Sequence, residues 1–480
     1  MGKLTMNDPL SMSLAEAGEA LRREELSPVT LTEASLARIE ATDPFVNAFA
    51  LAIGDEAVVA AREAETEIAA GRWRGPLHGV PVAVKDLCDM AGLPTTCSSK
   101  VRQNHIATAN STCVERLRAA GAIIVGKTHL HEFAYGITTP TSGNPWNPDY
   151  SPGGSSGGSA ATVALRGCFM AVGTDTGGSI RIPSAVCGVT GLKPTFGRVS
   201  RFGTAPLSWS LDHLGPITRT ARDAALCLQV LAGFDSRDSG SADEPVGNYL
   251  SGLENGVKGL RIGVPRNYFF EQVDPEIEDA VRAALHVLSN AGAILHEVEI
   301  PYTDQIMAVQ FGLVMPEASA YHRNELRDHA DLYEEDVRSF LEAGELFLAT
   351  DYINTLRVRG VIQQAWRKLY ENVDVIIGPA VASPATPRGA ESVTWGDGTA
   401  EPITSVFVRL SAPGNITGLP SVAVPCGFTR NGLPVAFQAI GRPFDEATIL
   451  RLAHTYQGET DWHLQTPPLA LGKPNVRAVA

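Results

Sequence analysis

Apolar residues along this chain fall into two recurring patterns. Between residues 12 and 70 they return every three or four positions. Leu14, Ala17 and Leu21 mark one face and Leu31, Ala34, Leu36 and Ile39 another, with Glu and Arg opposite. That spacing predicts amphipathic helices. From Leu77 to about Ile217, short unbroken apolar runs alternate with helical stretches, the pattern of an α/β sheet. The run Gly79–Asp86 (GVPVAVKD) reads as a strand buried on both faces that ends in a charge. Residues 112–120 predict a helix, 122–125 a strand and 159–166 a further helix. A connector rich in Ser, Asp, Gly and Pro fills 236–256. Beyond it, 260–264 reads as a strand. Asp274-Pro275 then opens a helix as N-cap and first-turn proline, with Ile277, Val281, Leu285 and Leu288 as its stripe. Residues 305–370 are helical and charged, and 373–377, 421–424 and 433–440 are strands. The Pro- and Gly-rich stretch Gly378–Pro402 reads as a long loop, which in a compact fold is often functional.

With 480 residues, 44% of them apolar, the chain can build two or three domains or one large α/β domain. A net charge of −14 argues against nucleic-acid partners, which call for a basic stripe. Seven cysteines (Cys88, Cys97, Cys113, Cys168, Cys187, Cys227, Cys426) are odd in number and never spaced as CxxC. They offer neither a disulfide framework nor a zinc site and point to a reducing compartment. The opening MGKLTMNDPL lacks the apolar core of a signal peptide, and no apolar stretch is long enough for a membrane span. A cytoplasmic protein without metal, membrane or nucleic acid is expected.

The chemistry concentrates in Pro152–Arg181, PGGSSGGSAATVALRGCFMAVGTDTGGSIR. Ser155 and Ser179 each follow a Gly-Gly pair. Glycine takes positive φ and allows close backbone approach, so two such loops can present hydroxyls and bare N–H groups to a ligand. Lys85 stands at the C-terminal end of its strand, where open α/β sheets place their ligands. A lysine there otherwise snorkels to solvent. Gly121–Thr128 (GAIIVGKT) fits the phosphate-loop pattern GxxxxGK[ST] letter for letter. Its middle residues are a buried strand rather than a loop, so Lys127 and Thr128 read as a strand exit, not an ATP site.

In this order, GVPVAVKD (79–86), SPGGSSGGS (151–159) and GTDTGGSIR (173–181) resemble the amidase signature family of serine hydrolases. Cys187–Thr195 and Leu211–Pro216 extend the resemblance, as do, more weakly, GLPS (418–421), GLPV (432–435) and GRPF (441–444). It spans residues 10–470 or thereabouts. It implies an α/β fold with a large mixed, mostly parallel central sheet flanked by helices. One large domain is expected overall, in four parts: an N-terminal helical segment (1–70), the signature core (71–235), a connector and helical cap-like region (236–370), and a C-terminal part (371–480) returning to the same sheet.

The resemblance also implies a site without cofactor: Ser179 as nucleophile, Ser155 as bridging serine held through a cis Gly154–Ser155 bond, and Lys85 as base. To accept a proton Lys85 must be neutral, and lowering its pKa from about 10.4 to about 7 costs roughly 4 to 5 kcal/mol, a shift that burial can supply. Consecutive N–H groups of Thr176, Gly177, Gly178 and Ser179 form a nest for an oxyanion. Ser156 is a supporting hydroxyl. Asp175 and Arg181 either brace the turn or form a surface ion pair, and Tyr135 lines the acyl pocket or is a core aromatic. A Ser-His-acid triad remains the rival, with His78, His129 and His131 nearest by motif.

The expected activity is hydrolysis of small amides, aryl or alkyl, through an acyl-enzyme. Carbamates (a urethanase activity) and small urea derivatives such as biuret stand as open alternatives. Trp209, Phe202, Tyr135 and Trp395 near candidate loops favour a bulky or aromatic small molecule, and a homodimer is one open assembly state. The family also contains the A subunit of the glutamine-dependent tRNA amidotransferase, which works with partner subunits. Where that protein usually carries ARYDG and SSLDQ, this chain has Met315–Arg323 (MPEASAYHR) and Trp209–His213 (WSLDH), which favours a stand-alone enzyme.

Overall fold

The computed structural model describes residues 8–472. The reading of the first seven residues, and of the last eight in the C-terminal part, lies outside it. Its strands are β1 (Phe49–Ala52), β2 (Pro81–Lys85), β3 (Ile123–Thr128), β4 (Met170–Asp175), β5 (Thr190–Lys193), β6 (His213–Thr218), β7 (Arg261–Pro265), β8 (Ile294–Val298), β9 (Val375–Pro379), β10 (Ser392–Thr394), β11 (Ala400–Pro402), β12 (Ser421–Phe428) and β13 (Pro434–Gly441). Eleven form one sheet in the order β1-β3-β2-β4-β6-β5-β12-β13-β9-β7-β8, and β10 and β11 form a separate hairpin.

The large mixed sheet between helices is present, but its parallel share is smaller than expected. Parallel pairing is confined to β3-β2-β4 at one end and β9-β7-β8 at the other; the strands between run antiparallel. The reason is physical. β2, β3, β4, β6 and β13 are buried along their whole length, and a fully buried strand shows the same unbroken apolar run whatever its neighbour's direction.

Helices Leu14–Arg22, Pro28–Val46 and Gly54–Ala69 occupy the N-terminal stretch, with β1 between the last two. Leu14, Ala17 and Leu21 are buried, as the pattern predicts. The second stripe is rotated: Leu31, Thr32, Ser35, Ile39, Thr42 and Val46 are buried, whereas Ala34 and Leu36 are only half-buried. A serine can sit on the buried face because its hydroxyl donates to the Gly167 carbonyl.

Residues 305–370 form three helices, Thr303–His329, Glu335–Gly344 and Ala349–Leu369. Asp274 caps Pro275–Asn290 by accepting from the Glu276 N–H at 2.8 Å. Two helices of the C-terminal part, Ile403–Thr417 and Glu446–Glu459, went unread in the sequence. The Gly378–Pro402 loop contains the β10/β11 hairpin.

The phosphate-loop lookalike is strand β3, as its apolar middle requires. Lys127 is buried and held by Asp86 Oδ1 at 2.7 Å, Thr95 Oγ1 at 2.7 Å and the Pro94 carbonyl at 2.6 Å. Gly126 serves the approach of β1: a side-chain carbon there would lie 2.6 Å from the Leu51 carbonyl oxygen. Among the described residues no helix is long and apolar enough to cross a membrane.

Candidate active site

Parallel pairing brings the C-terminal ends of β2 and β4 side by side, with Val84 opposite Val172. Lys85 closes β2; Thr174 and Asp175 close β4. Each glycine-rich loop leads into a short helix, Gly157–Ala164 after Ser155-Ser156 and Arg181–Cys187 after Ser179.

Lys85 is fully buried, and its Nζ donates to Ser155 Oγ at 2.7 Å, Ser156 Oγ at 2.9 Å and Thr174 Oγ1 at 2.7 Å. All three partners are neutral hydroxyls. Burial of the ammonium pushes its pKa down to about 7, against weaker upward pulls from Asp175 and Asp212. Ser156 is fixed in turn: its hydroxyl donates to the Thr174 carbonyl at 3.1 Å, and its N–H donates to the Ser179 carbonyl at 3.2 Å. The Ser155 carbonyl accepts from the His131 N–H at 3.1 Å and Thr139 Oγ1 at 3.2 Å. The Gly154–Ser155 peptide is cis.

The turn carrying Ser179 is organised around Asp175. Its carboxylate accepts from the N–H groups of Gly178 (2.8 Å) and Ile180 (3.2 Å), Arg181 Nε (3.1 Å) and Nη2 (3.0 Å), and Asn415 Nδ2 (2.8 Å). Asp175 and Arg181 have no exposed surface, so they are no surface ion pair. Burial alone would raise the Asp175 pKa, but the Arg181 guanidinium and Asn415 hold it well below the usual carboxylate range. Arg181 also reaches Asn415 Oδ1 at 2.6 Å and Gln438 Oε1 at 3.0 Å.

The Gly178 N–H is engaged with Asp175 and so departs from the expected set of four oxyanion donors. The turn's carbonyls are anchored from outside. Gln310 Nε2 donates to the Thr176 carbonyl at 3.1 Å, and Ser411 Oγ donates to that of Gly177 at 2.6 Å. Thr176 Oγ1 donates to Asp212 Oδ1 at 2.6 Å.

Ser179 lines a cavity of about 450 Å3, open mouth included, walled by Tyr135, Gln310, Phe311, Val314, Phe340 and Val408 among others. No charged side chain lines it. Tyr135 packs its ring on Phe340 at 5.3 Å and borders the cavity, with its hydroxyl buried and unpartnered.

The three histidines are occupied elsewhere. His131 Nε2 lies 2.9 Å from Asp336, His129 Nδ1 3.1 Å from Ser98, and His78 Nε2 3.1 Å from Glu67. Trp395 pairs with Glu401 within the β10/β11 hairpin.

Residues 30–450 match the amidase family model. The chain belongs to the amidase family. This amidase is 51% identical over 465 residues to a protein named amidase from Pseudomonas putida, covering 97% of this chain and 99% of that one. It is 41% identical over 487 residues to the A subunit of the glutamyl-tRNA(Gln) amidotransferase of Roseiflexus sp. (strain RS-1), covering 95% and 98% respectively. Its structure is similar to that of a bacterial aryl acylamidase belonging to the amidase signature enzymes, with a TM-score of 0.87 at 27% identity over 98% of this chain and 99% of that one. The amidase is thus a hydrolase of amide C–N bonds on the amidase signature fold.

Several residues around Lys85 and Ser179 escaped the sequence reading. Thr174 stands inside the motif GTDTGGSIR beside Asp175, and that place at a strand end was the available signal. Gln310, Phe340, Ser411, Asn415 and Gln438 reach the site from distant helices and from β13, where nothing local marks them.

Proposed function

We propose that this amidase is a stand-alone hydrolase of small, uncharged amides that works through Lys85, Ser155, Ser179 and an acyl-enzyme. The observation that carries the reading is a buried lysine amine meeting hydroxyls and no carboxylate, one of those hydroxyls belonging to Ser155. With its pKa near 7, Lys85 is available as a neutral base. It takes the Ser155 proton while Ser155 takes that of Ser179. Ser179 Oγ attacks the carbonyl carbon, and the resulting oxyanion is held by the N–H groups of Thr176, Gly177 and Ser179. The proton returns through Ser155 to the leaving nitrogen as the C–N bond breaks. Water then enters by the same relay, attacks the ester carbon and frees Ser179. Carbamates fit the same route.

A second reading, the A subunit of an amidotransferase, is favoured by the 41% identical relative. Against it, the Ser179 cavity has no cation for the α-carboxylate of glutamine. The test is the purified chain assayed alone against anilides, aliphatic amides, carbamates, biuret and glutamine. Turnover of a neutral amide, lost together with fluorophosphonate labelling in Ser179→Ala, is expected. Full activity in Ser179→Ala overturns the mechanism, and activity on glutamine only with added partners supports the second reading.

A further inference from the structure

A second cavity, about 800 Å3 with its open mouth, adjoins the first. The two share Ala134, Thr176 and Leu207, so they meet at the turn that carries the nucleophile. They differ in what else they touch. Ser179 and Gly177 line only the smaller chamber, whereas Thr174, whose hydroxyl accepts from Lys85 Nζ at 2.7 Å, lines only the larger.

We propose that the larger chamber receives the leaving amine, that this amine is uncharged and carries an aromatic ring, and that the smaller chamber holds the acyl group. The proposal rests on the Lys85–Ser155–Ser179 reading above. The leaving nitrogen must take its proton from the Lys85–Ser155 pair. The substituent on that nitrogen therefore extends toward the chamber bordered by the lysine's own partner, Thr174.

The walls specify the ligand. Phe202, Trp209, Pro206 and Leu214 supply apolar and aromatic surface. One face of Phe202 carries the Arg237 guanidinium at 4.4 Å, which fixes the ring. The charges at the rim are already paired: Arg201 with Asp238 at 2.9 Å, and Arg237 with Asp235 at 3.0 Å and Glu115 at 2.8 Å. Asp212 is satisfied by Thr176 and by the N–H groups of Leu207 and Ser208. Of the chamber's carboxylates Asp212 alone has no paired cation, and its oxygens are already taken by those neutral donors, so a charged amine finds little to hold it, while an aromatic ring finds edge and face partners. Trp209 is 61% exposed, an indole left in water unless something covers it.

The experiment compares leaving amines on one acyl group, with the preference read as its change between parent and variant, so that the intrinsic leaving ability of each amine cancels. Methylamides, cyclohexylmethylamides and benzylamides of one acid form the first series; benzylamides of lengthening fatty acids form the second. In the parent enzyme the benzylamide is favoured over the methylamide in kcat/KM. Trp209→Ala and Phe202→Ala each shrink that preference by about tenfold while the acyl-length ranking stays in order. Phe340→Ala does the converse. Trp209 is exposed enough that its variant keeps the fold. If Trp209→Ala and Phe202→Ala disturb the acyl ranking and spare the amine preference, the assignment is overturned and the Ser179 chemistry stands. If neither series is cleaved and fluorophosphonate leaves Ser179 unlabelled, the hydrolase mechanism itself falls.

Discussion

Lys85 Nζ lies 2.7 Å from Thr174 Oγ1 across the parallel pair β2–β4, a contact that ties the buried amine to the strand leading into the Ser179 turn. Because both residues end strands of the same sheet, the amine is held by rigid elements and not by a loop. Ser155 and Ser156 then close round it from the other glycine-rich segment.

If the Lys85 amine is the base, kcat/KM rises with pH through about 7 and stays high into the alkaline range. Lys85→Ala loses several orders of magnitude. Lys85→Arg does no better, since a guanidinium does not deprotonate in a protein. Near-normal rates in Lys85→Arg would reduce the residue to a positioning charge.

The same burial has a stability consequence. Lys85 titrates near 7 in the folded chain and near about 10.4 when unfolded, so between these values the unfolded chain binds the extra proton. Folded stability therefore rises with pH across that window, by roughly 4 to 5 kcal/mol in full, and the penalty is complete below about pH 7. Lys85→Met escapes it. In denaturant titrations from about pH 6 to about pH 10 the parent gains on the variant, whereas a gap independent of pH would contradict the burial argument.

Asp175 and Arg181 are a buried pair, and removing one partner leaves the other charge uncompensated. Arg181→Met or Asp175→Asn alone is expected to cost about 3 to 5 kcal/mol of stability. The double variant should cost less than the sum of the two. Additive unfolding free energies would show that the two side chains do not act as a unit.

Gly178 has φ +122°, and a side-chain carbon there would stand 2.2 Å from Ser411 Oγ. Gly178→Ala should cut kcat by about a hundredfold or more by displacing the Ser179 turn. Adding Ser411→Gly removes that contact but leaves Ile182 Cδ1 at 2.6 Å and the backbone strain, so it restores only part of the rate. Full recovery in the double variant would mean that neither the φ value nor the Ile182 contact carries weight.

His129→Ala and His131→Ala are expected to keep turnover within about tenfold of the parent, because both rings bond elsewhere and neither bonds Ser155 or Ser179. A loss of several orders of magnitude in either would return a histidine to the role of base.

The sequence by itself determined the α/β class, the helical stripe of Leu14, Ala17 and Leu21, the strand status of the phosphate-loop lookalike, and the membership of Lys85, Ser155 and Ser179 in one ordered set of motifs. These are local: helix and strand periods repeat within a few residues, and a glycine pair before a serine is visible where it stands. Strand direction was not legible, since a strand buried on both faces looks the same beside a parallel or an antiparallel neighbour. Nor was the burial of Arg181, because its partners Asn415 and Gln438 lie hundreds of positions away. The tertiary structure alone decided that the lysine's neighbours are three hydroxyls, that Gly178 donates to Asp175, and that Phe340 and Gln310 wall the Ser179 cavity. Each of these depends on where distant segments pack, and packing of that kind leaves no periodic trace in the chain.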